Sequence, residues 1–200
     1  MRKIIVFTNL TLDGVMQAPG RPDEDLRGGF SHGGWAAPYA AMTYVNNSDL
    51  DTGPMLFGRR TYEDFYAVWP KRTDSPFTAV LNNIQKYVAS TTLKEPLPWI
   101  NSTLLKGDVP EAVAALKAQP GKDLVVMGSL QLVQTLRKHN LVDEYVLLIH
   151  PLVLGAGIRL FPDGAAFAAL RLVDAKPTTT GVIVATYRPA EPMTGPVTGL

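Results

Sequence analysis

Two places in this chain join a short apolar run to a helical pattern through a single glycine. They are Phe57-Gly58-Arg59-Arg60-Thr61 and Met127-Gly128-Ser129-Leu130. A strand that ends in glycine and opens a helix leaves free backbone N–H groups at the positive end of the helix dipole, where an anion binds. Thr61 and Ser129 add hydroxyl donors, and Arg59 and Arg60 add charge. Each site alone is equally the mark of a tight turn. Two of them on neighbouring parallel strands would hold the two phosphates of a dinucleotide from opposite sides. A third group of donors, Ser90-Thr91-Thr92, follows the apolar run Lys86 to Ala89. It falls at the carboxyl end of a strand, where ligands collect in open α/β sheets.

Other chemistries find little support. There is no cysteine, which removes thiolate nucleophiles, disulfides and Cys-based metal sites. His32, His139 and His150 lie far apart and without metal-ligand spacing, so no metal is expected. His139 reads as a residue compensating a helix C-terminus. The chain lacks the G-x-S-x-G elbow of many hydrolases and the G-x-x-x-x-G-K-[ST] phosphate loop, and Gly155-Ala156-Gly157 lacks the third glycine of a Rossmann fingerprint. Asp143 and Glu144 are adjacent on a strand and face opposite sides, so they cannot act as a pair. Lys plus Arg is 19 and Asp plus Glu is 18, a net charge of +1. That balance gives no general field for nucleic acid. No apolar run reaches the length of a membrane span and no signal peptide is visible, so a cytoplasmic protein is expected.

The elements that must position these residues follow from periodicity. Strands are expected over Arg2–Thr8, Met55–Gly58, Lys86–Ser90, Lys122–Met127, Leu141–Ile149, Arg171–Ala175 and Val182–Tyr187. Helices are expected over Trp35–Asn47, where Trp35, Tyr39, Met42 and Val45 share a face, and over Thr61–Trp69. Two more are expected, one after Asp108, which can cap, and one opened by Gly128-Ser129. Pro19–Gly34 reads as a glycine- and proline-rich loop. Strands alternating with helices indicate an α/β domain with a mostly parallel sheet. The last two strands, with no helix between them, form an antiparallel pair. One domain over 1–188 and a flexible tail over 189–200 account for the length of 200 residues.

In this order the motifs resemble the dihydrofolate-reductase-like superfamily. They are Thr11-Leu-Asp-Gly14, Leu56-Phe-Gly-Arg-Arg-Thr-Tyr62, Lys86 to Leu93, Met127-Gly-Ser129, Leu141-Val-Asp-Glu144, and Pro151 to Gly157 followed by Leu160-Phe161. The chain is most similar to the bacterial branch around the C-terminal reductase domain of RibD. The resemblance implies a three-layer α/β/α fold around a mixed sheet, mostly parallel with an antiparallel C-terminal hairpin. It also implies NADPH as cofactor, NADH remaining open, and a homodimer. By position, Gly58, Arg59 and Thr61 would hold the pyrophosphate from one side and Gly128, Ser129 and Leu130 from the other. Ser90, Thr91 and Thr92 would meet the adenosine ribose, and Asn9 and Met16 the nicotinamide. Asp13, His32 and Trp35 are candidates for substrate contact, the latter two in a lid formed by the glycine-rich segment.

Two departures are visible. The family usually has Ser-Arg-Thr where this chain has Ser90-Thr91-Thr92, so the arginine suited to a 2′-phosphate is absent. The acid of folate reductases falls near Met42, which carries no carboxylate, so folate reduction is not expected. The activity implied is hydride transfer to a C=N or C=O bond of a small polar pteridine, pyrimidine or sugar-derived substrate, with water as the proton source. The alternative is a non-catalytic nucleotide-binding or sensing module on the same fold.

Overall fold

The computed structural model describes residues 1–39, 53–75 and 77–191. Among them eight strands form one sheet: β1 (Ile4–Thr11), β2 (Met55–Gly58), β3 (Lys86–Ala89), β4 (Ser102–Leu105), β5 (Leu124–Met127), β6 (Glu144–His150), β7 (Ala169–Pro177) and β8 (Ile183–Ala190). Four α-helices flank it: α1 (Arg59–Val68), α2 (Phe77–Asn83), α3 (Val109–Ala118) and α4 (Leu130–Lys138). The strand order is β4-β3-β2-β5-β1-β6-β8-β7, parallel from β4 through β6, with β8 antiparallel to both of its neighbours.

The pleat sorts the side chains into two layers. Ile4, Val6, Leu56, Leu124, Val126, Tyr145 and Leu147 point to one face, where they bury against Val113 and Leu116 of α3 and Leu132, Val133 and Leu136 of α4. On the other face Met55, Phe57 and Val88 bury against Tyr62 of α1 and Phe77 and Leu81 of α2. The expected three-layer mixed sheet with an antiparallel C-terminal end is therefore present. Asp108 caps α3 as anticipated, its carboxylate accepting the Glu111 N–H at 3.0 Å. His139 stands at the C-cap of α4.

Some elements differ from the expectations. The edge strand β4 and the seven-residue α2 are additional. Ser102-Thr103-Leu104-Leu105 is too short and polar to announce a strand, and β3 pairing defines it. Of the expected helix Trp35–Asn47, residues through Tyr39 are described, and there Ala37–Tyr39 make a 3₁₀ turn. Met42 and Val45 lie outside the described residues. Pro189 and Ala190, placed in the expected tail, continue β8 and pair with Leu170 and Ala169. Residues 192–200 lie outside the described part.

The Pro19–Gly34 loop builds a small core of its own, with Phe30 and Trp35 packed on Val15 and Ala18. Gln17 ties this segment down: its amide donates to the carbonyls of Asp25 at 3.1 Å and Arg27 at 3.0 Å, and its oxygen accepts the Ile158 N–H at 2.9 Å. Gly157 sits against this core with φ +117°, where a Cβ would come within 2.7 Å of Phe30 and of Val15, so only glycine fits.

Candidate active site

The two glycine-opened helix starts expected from the sequence lie at the ends of adjacent strands. β2 leads through α1 towards β3 on one side of the sheet order, and β5 leads through α4 towards β6 on the other. The gap between β2 and β5 is therefore a topological switch point, the usual ligand crevice of open α/β sheets. The two junctions hold each other. The Gly58 N–H donates to Ser129 Oγ at 2.8 Å, and the Ser129 N–H donates to Thr61 Oγ1 at 3.1 Å. Gly128 has φ +62° and Ser129 φ +59°, so two successive left-handed residues turn the chain sharply into α4.

Neither helix has a side-chain cap at its N-terminus. The hydroxyls of Thr61 and Ser129 accept within the clasp, which leaves their own protons to donate outward. Uncapped first-turn N–H groups of two helices thus meet the same crevice, whereas the N-terminus of α3 is closed by Asp108.

This crevice is part of a cleft of about 2340 Å³. Among the residues that line it are Gly58, Arg59, Thr61, Gly128, Ser129 and Leu130. Ser90, Thr91 and Thr92 line it beyond the end of β3, as do Asn9 at the end of β1 and Met16 after it. The strands β3, β2, β5 and β1 are consecutive in the sheet, so these groups form a row. Three interstrand spacings of about 4.8 Å make it roughly 14 Å across. Ser90 Oγ accepts the N–H groups of Thr92 at 3.1 Å and Leu93 at 3.0 Å, shaping a turn that leaves Thr91 and Thr92 exposed.

The structure gives the three substrate candidates other surroundings. Asp13 ties its loop to residues 154–155: its carboxylate accepts the Thr11 hydroxyl and the N–H groups of Leu154 at 3.3 Å and Gly155 at 2.8 Å. Burial pushes its pKa up, yet these hydrogen bonds outweigh burial and hold it below the usual carboxylate value. Trp35 is buried with its indole N–H on the Gln17 carbonyl at 2.7 Å. His32 is exposed, its ring edge against Phe30. None of the three is among the residues lining the cleft.

Two pairings that involve cleft-lining residues were not anticipated. Arg21 makes a two-pronged ion pair with Asp64 of α1, fixing the Pro19–Gly34 loop as a wall of the cleft. His150, considered above only for metal binding, is fully buried and has Nε2 2.9 Å from Asn9 Oδ1. Burial lowers its pKa from 6.5 to about 4. Asn9 and His150 are 141 positions apart, and no local pattern joins them.

A twisted, mostly parallel eight-stranded sheet closed by an antiparallel pair, with its crevice at the β2/β5 ends, is the architecture of dihydrofolate-reductase-like proteins. The model of the RibD C-terminal domain matches residues 2–184, and the chain belongs to that family. It is 30% identical to YyaP of Bacillus subtilis (strain 168), a protein without an assigned activity, over 93% of this chain and 94% of that one. A putative riboflavin biosynthesis protein from Shewanella sp. PV-4 has the same fold, with a TM-score of 0.65 at 20% identity, covering 94% of this chain and 99% of that one. Dihydrofolate reductase from Enterococcus faecalis, solved in complex with NADP(H) and an added ligand, aligns with a TM-score of 0.55 at 14% identity, covering 94% and 97%.

Proposed function

We propose that the protein is a nicotinamide-nucleotide-dependent reductase acting on a small polar pteridine, pyrimidine or sugar-derived substrate. The observation that carries this reading is the clasp of two uncapped helix N-termini at the β2/β5 switch point, in the middle of a row of polar groups of dinucleotide length. Gly58, Arg59 and Thr61 on one side, with Gly128, Ser129 and Leu130 on the other, would hold the pyrophosphate through backbone and hydroxyl donors. Ser90, Thr91 and Thr92 would take the adenosine ribose, and Asn9 and Met16 would border the nicotinamide. The E. faecalis neighbour with NADP(H) supports a nicotinamide cofactor on this fold.

When bound, a nicotinamide would supply the hydride for a C=N or C=O bond. The chain's own contribution is to orient the two reactants over the apolar floor of Phe7, Met127 and Leu148, which lines the cleft. Every carboxylate lining the cleft already has a partner among the described residues. Asp64 is held by Arg21, Asp25 by Arg27 and Glu144 by Arg188; Glu24, Asp108 and Asp123 accept backbone N–H groups, and Asp174 pairs with Lys176. This favours water as the proton source.

The same engagement of the carboxylates favours, as a second reading, a module that binds the nucleotide without turning it over. Oxidation of NADPH and of NADH, followed with a panel of pterins, pyrimidines and aldehydes, separates the two. Substrate-stimulated oxidation is expected. Saturable nucleotide binding with no stimulated oxidation would leave only the binding module, and absence of binding would reject both.

A further inference from the structure

Asn9 lies on β1 and His150 at the end of β6, on the same face of the sheet. Asn9 pairs in register with Leu148, so His150, two residues on, is its diagonal neighbour. The two side chains meet at 2.9 Å through His150 Nε2 and Asn9 Oδ1. His150 has no solvent exposure, and the edges of its surroundings are aromatic, with Trp35 and Tyr39 packed T-shaped against its ring at 5.1 and 5.2 Å. Among the described residues its Nδ1 is buried with no hydrogen-bond partner.

Among the described residues, these contacts favour one tautomer. A hydrogen on Nδ1 would be an orphaned buried donor, which native structures almost never keep, whereas an unused acceptor lone pair is tolerated more often. The ring is therefore neutral with its hydrogen on Nε2, donating to Asn9 Oδ1. With the oxygen so occupied, the Asn9 amide nitrogen has no partner among the described residues, and Asn9 lines the cleft. We propose that His150 is a positioning residue that locks the Asn9 amide so that its N–H donates into the cleft to a carbonyl oxygen of the bound ligand. Resting on the reductase reading, this narrows its ligands: the carbonyl is either the carboxamide of a nicotinamide or that of a lactam-type substrate such as a pterin or a uracil. A ligand with only donors facing Asn9 is rejected, because its donor and the amide would both be left unpaired.

Nitrogen-15 NMR of the His150 ring at neutral pH reads the tautomer directly, independent of any reductase activity. Protonation at Nε2 alone is expected, and protonation at Nδ1 would overturn the proposal. The ligand arm uses calorimetric titration of NADP+, its 3-acetylpyridine analogue, 2′-phospho-ADP-ribose, pterin and uracil against the wild type, Asn9→Asp, His150→Phe and His150→Gln. Asn9→Asp replaces the donor with an acceptor and is expected to weaken the carbonyl-bearing ligand about tenfold, the worth of one hydrogen bond. His150→Phe should give a similar loss, and His150→Gln, whose amide can donate to Asn9, should restore most of it.

Loss confined to NADP+ and the acetylpyridine analogue assigns the carbonyl to the nicotinamide, and loss confined to pterin or uracil assigns it to the substrate. In either case 2′-phospho-ADP-ribose, which lacks both groups, keeps its wild-type affinity. If it binds normally while Asn9→Asp changes no carbonyl ligand, the proposal falls and the cofactor site stands. If neither it nor unphosphorylated ADP-ribose binds, the cofactor reading falls, and the tautomer with the pterin and uracil titrations still decides the role of Asn9.

Discussion

Replacing Ser129 by alanine and by glycine separates the two things this residue does. Its Oγ accepts the partly buried Gly58 N–H at 2.8 Å, and its backbone is held at φ +59°. Alanine removes the acceptor and keeps the left-handed strain, so the variant loses about 1–3 kcal/mol for an unsatisfied donor. Glycine removes the same acceptor but relieves a left-handed cost of about 1 kcal/mol, so it should be more stable than the alanine variant by roughly that amount. Urea unfolding followed by tryptophan fluorescence measures both, with the slope checked to be unchanged. Both variants should also bind NADPH more weakly than wild type, because the hydroxyl that would donate to the pyrophosphate is gone. An alanine variant as stable as wild type, or a glycine variant less stable than alanine, would refute the clasp as the element holding β2 and β5 in place.

Further outcomes are expected elsewhere. His150 is buried neutral with a pKa near 4 instead of 6.5, so its contribution to stability is complete above about pH 6.5 and is lost as pH falls to about 4. The difference amounts to about 3 kcal/mol, and His150→Phe should flatten that part of the pH–stability curve relative to wild type. Asp13→Ala should destabilise by about 1–2 kcal/mol, since the partly buried Leu154 N–H loses its acceptor while the exposed Gly155 N–H turns to water; equilibrium unfolding measures the loss, and NADPH binding should be nearly unchanged. Leu172, Val173 and Ile183 are exposed on β7 and β8, and sedimentation is expected to show a homodimer that Leu172→Lys weakens.

How much was legible in the sequence follows from what each feature depends on. The two glycine-opened helices could be read locally, because a strand run, a glycine and a helical period are all contained in a few residues. The mostly parallel sheet and its antiparallel end followed from helices lying, or not lying, between strands, whereas the strand order did not, and β4 joins β3 in parallel with no helix between them. The partners within the clasp were not legible: Gly58 and Ser129 are 71 positions apart, and their bond exists only because β2 and β5 are neighbours. The same holds for Asn9 and His150, joined by the β1/β6 register, and for Arg21 and Asp64. Asp13 shows the converse. A carboxylate beside a ligand loop and one that fastens the loop look identical until the backbone N–H groups of 154 and 155 arrive opposite it.

The central claim is that the β2/β5 clasp is a dinucleotide pyrophosphate site. A crystal structure with NADPH bound tests it most directly. Pyrophosphate oxygens are expected within hydrogen-bond distance of donors in Gly58–Thr61 and Gly128–Leu130, with the adenosine towards Ser90–Thr92 and the nicotinamide towards Asn9. Density for the dinucleotide anywhere else in the cleft, or none with either NADPH or NADH at saturation, would contradict it.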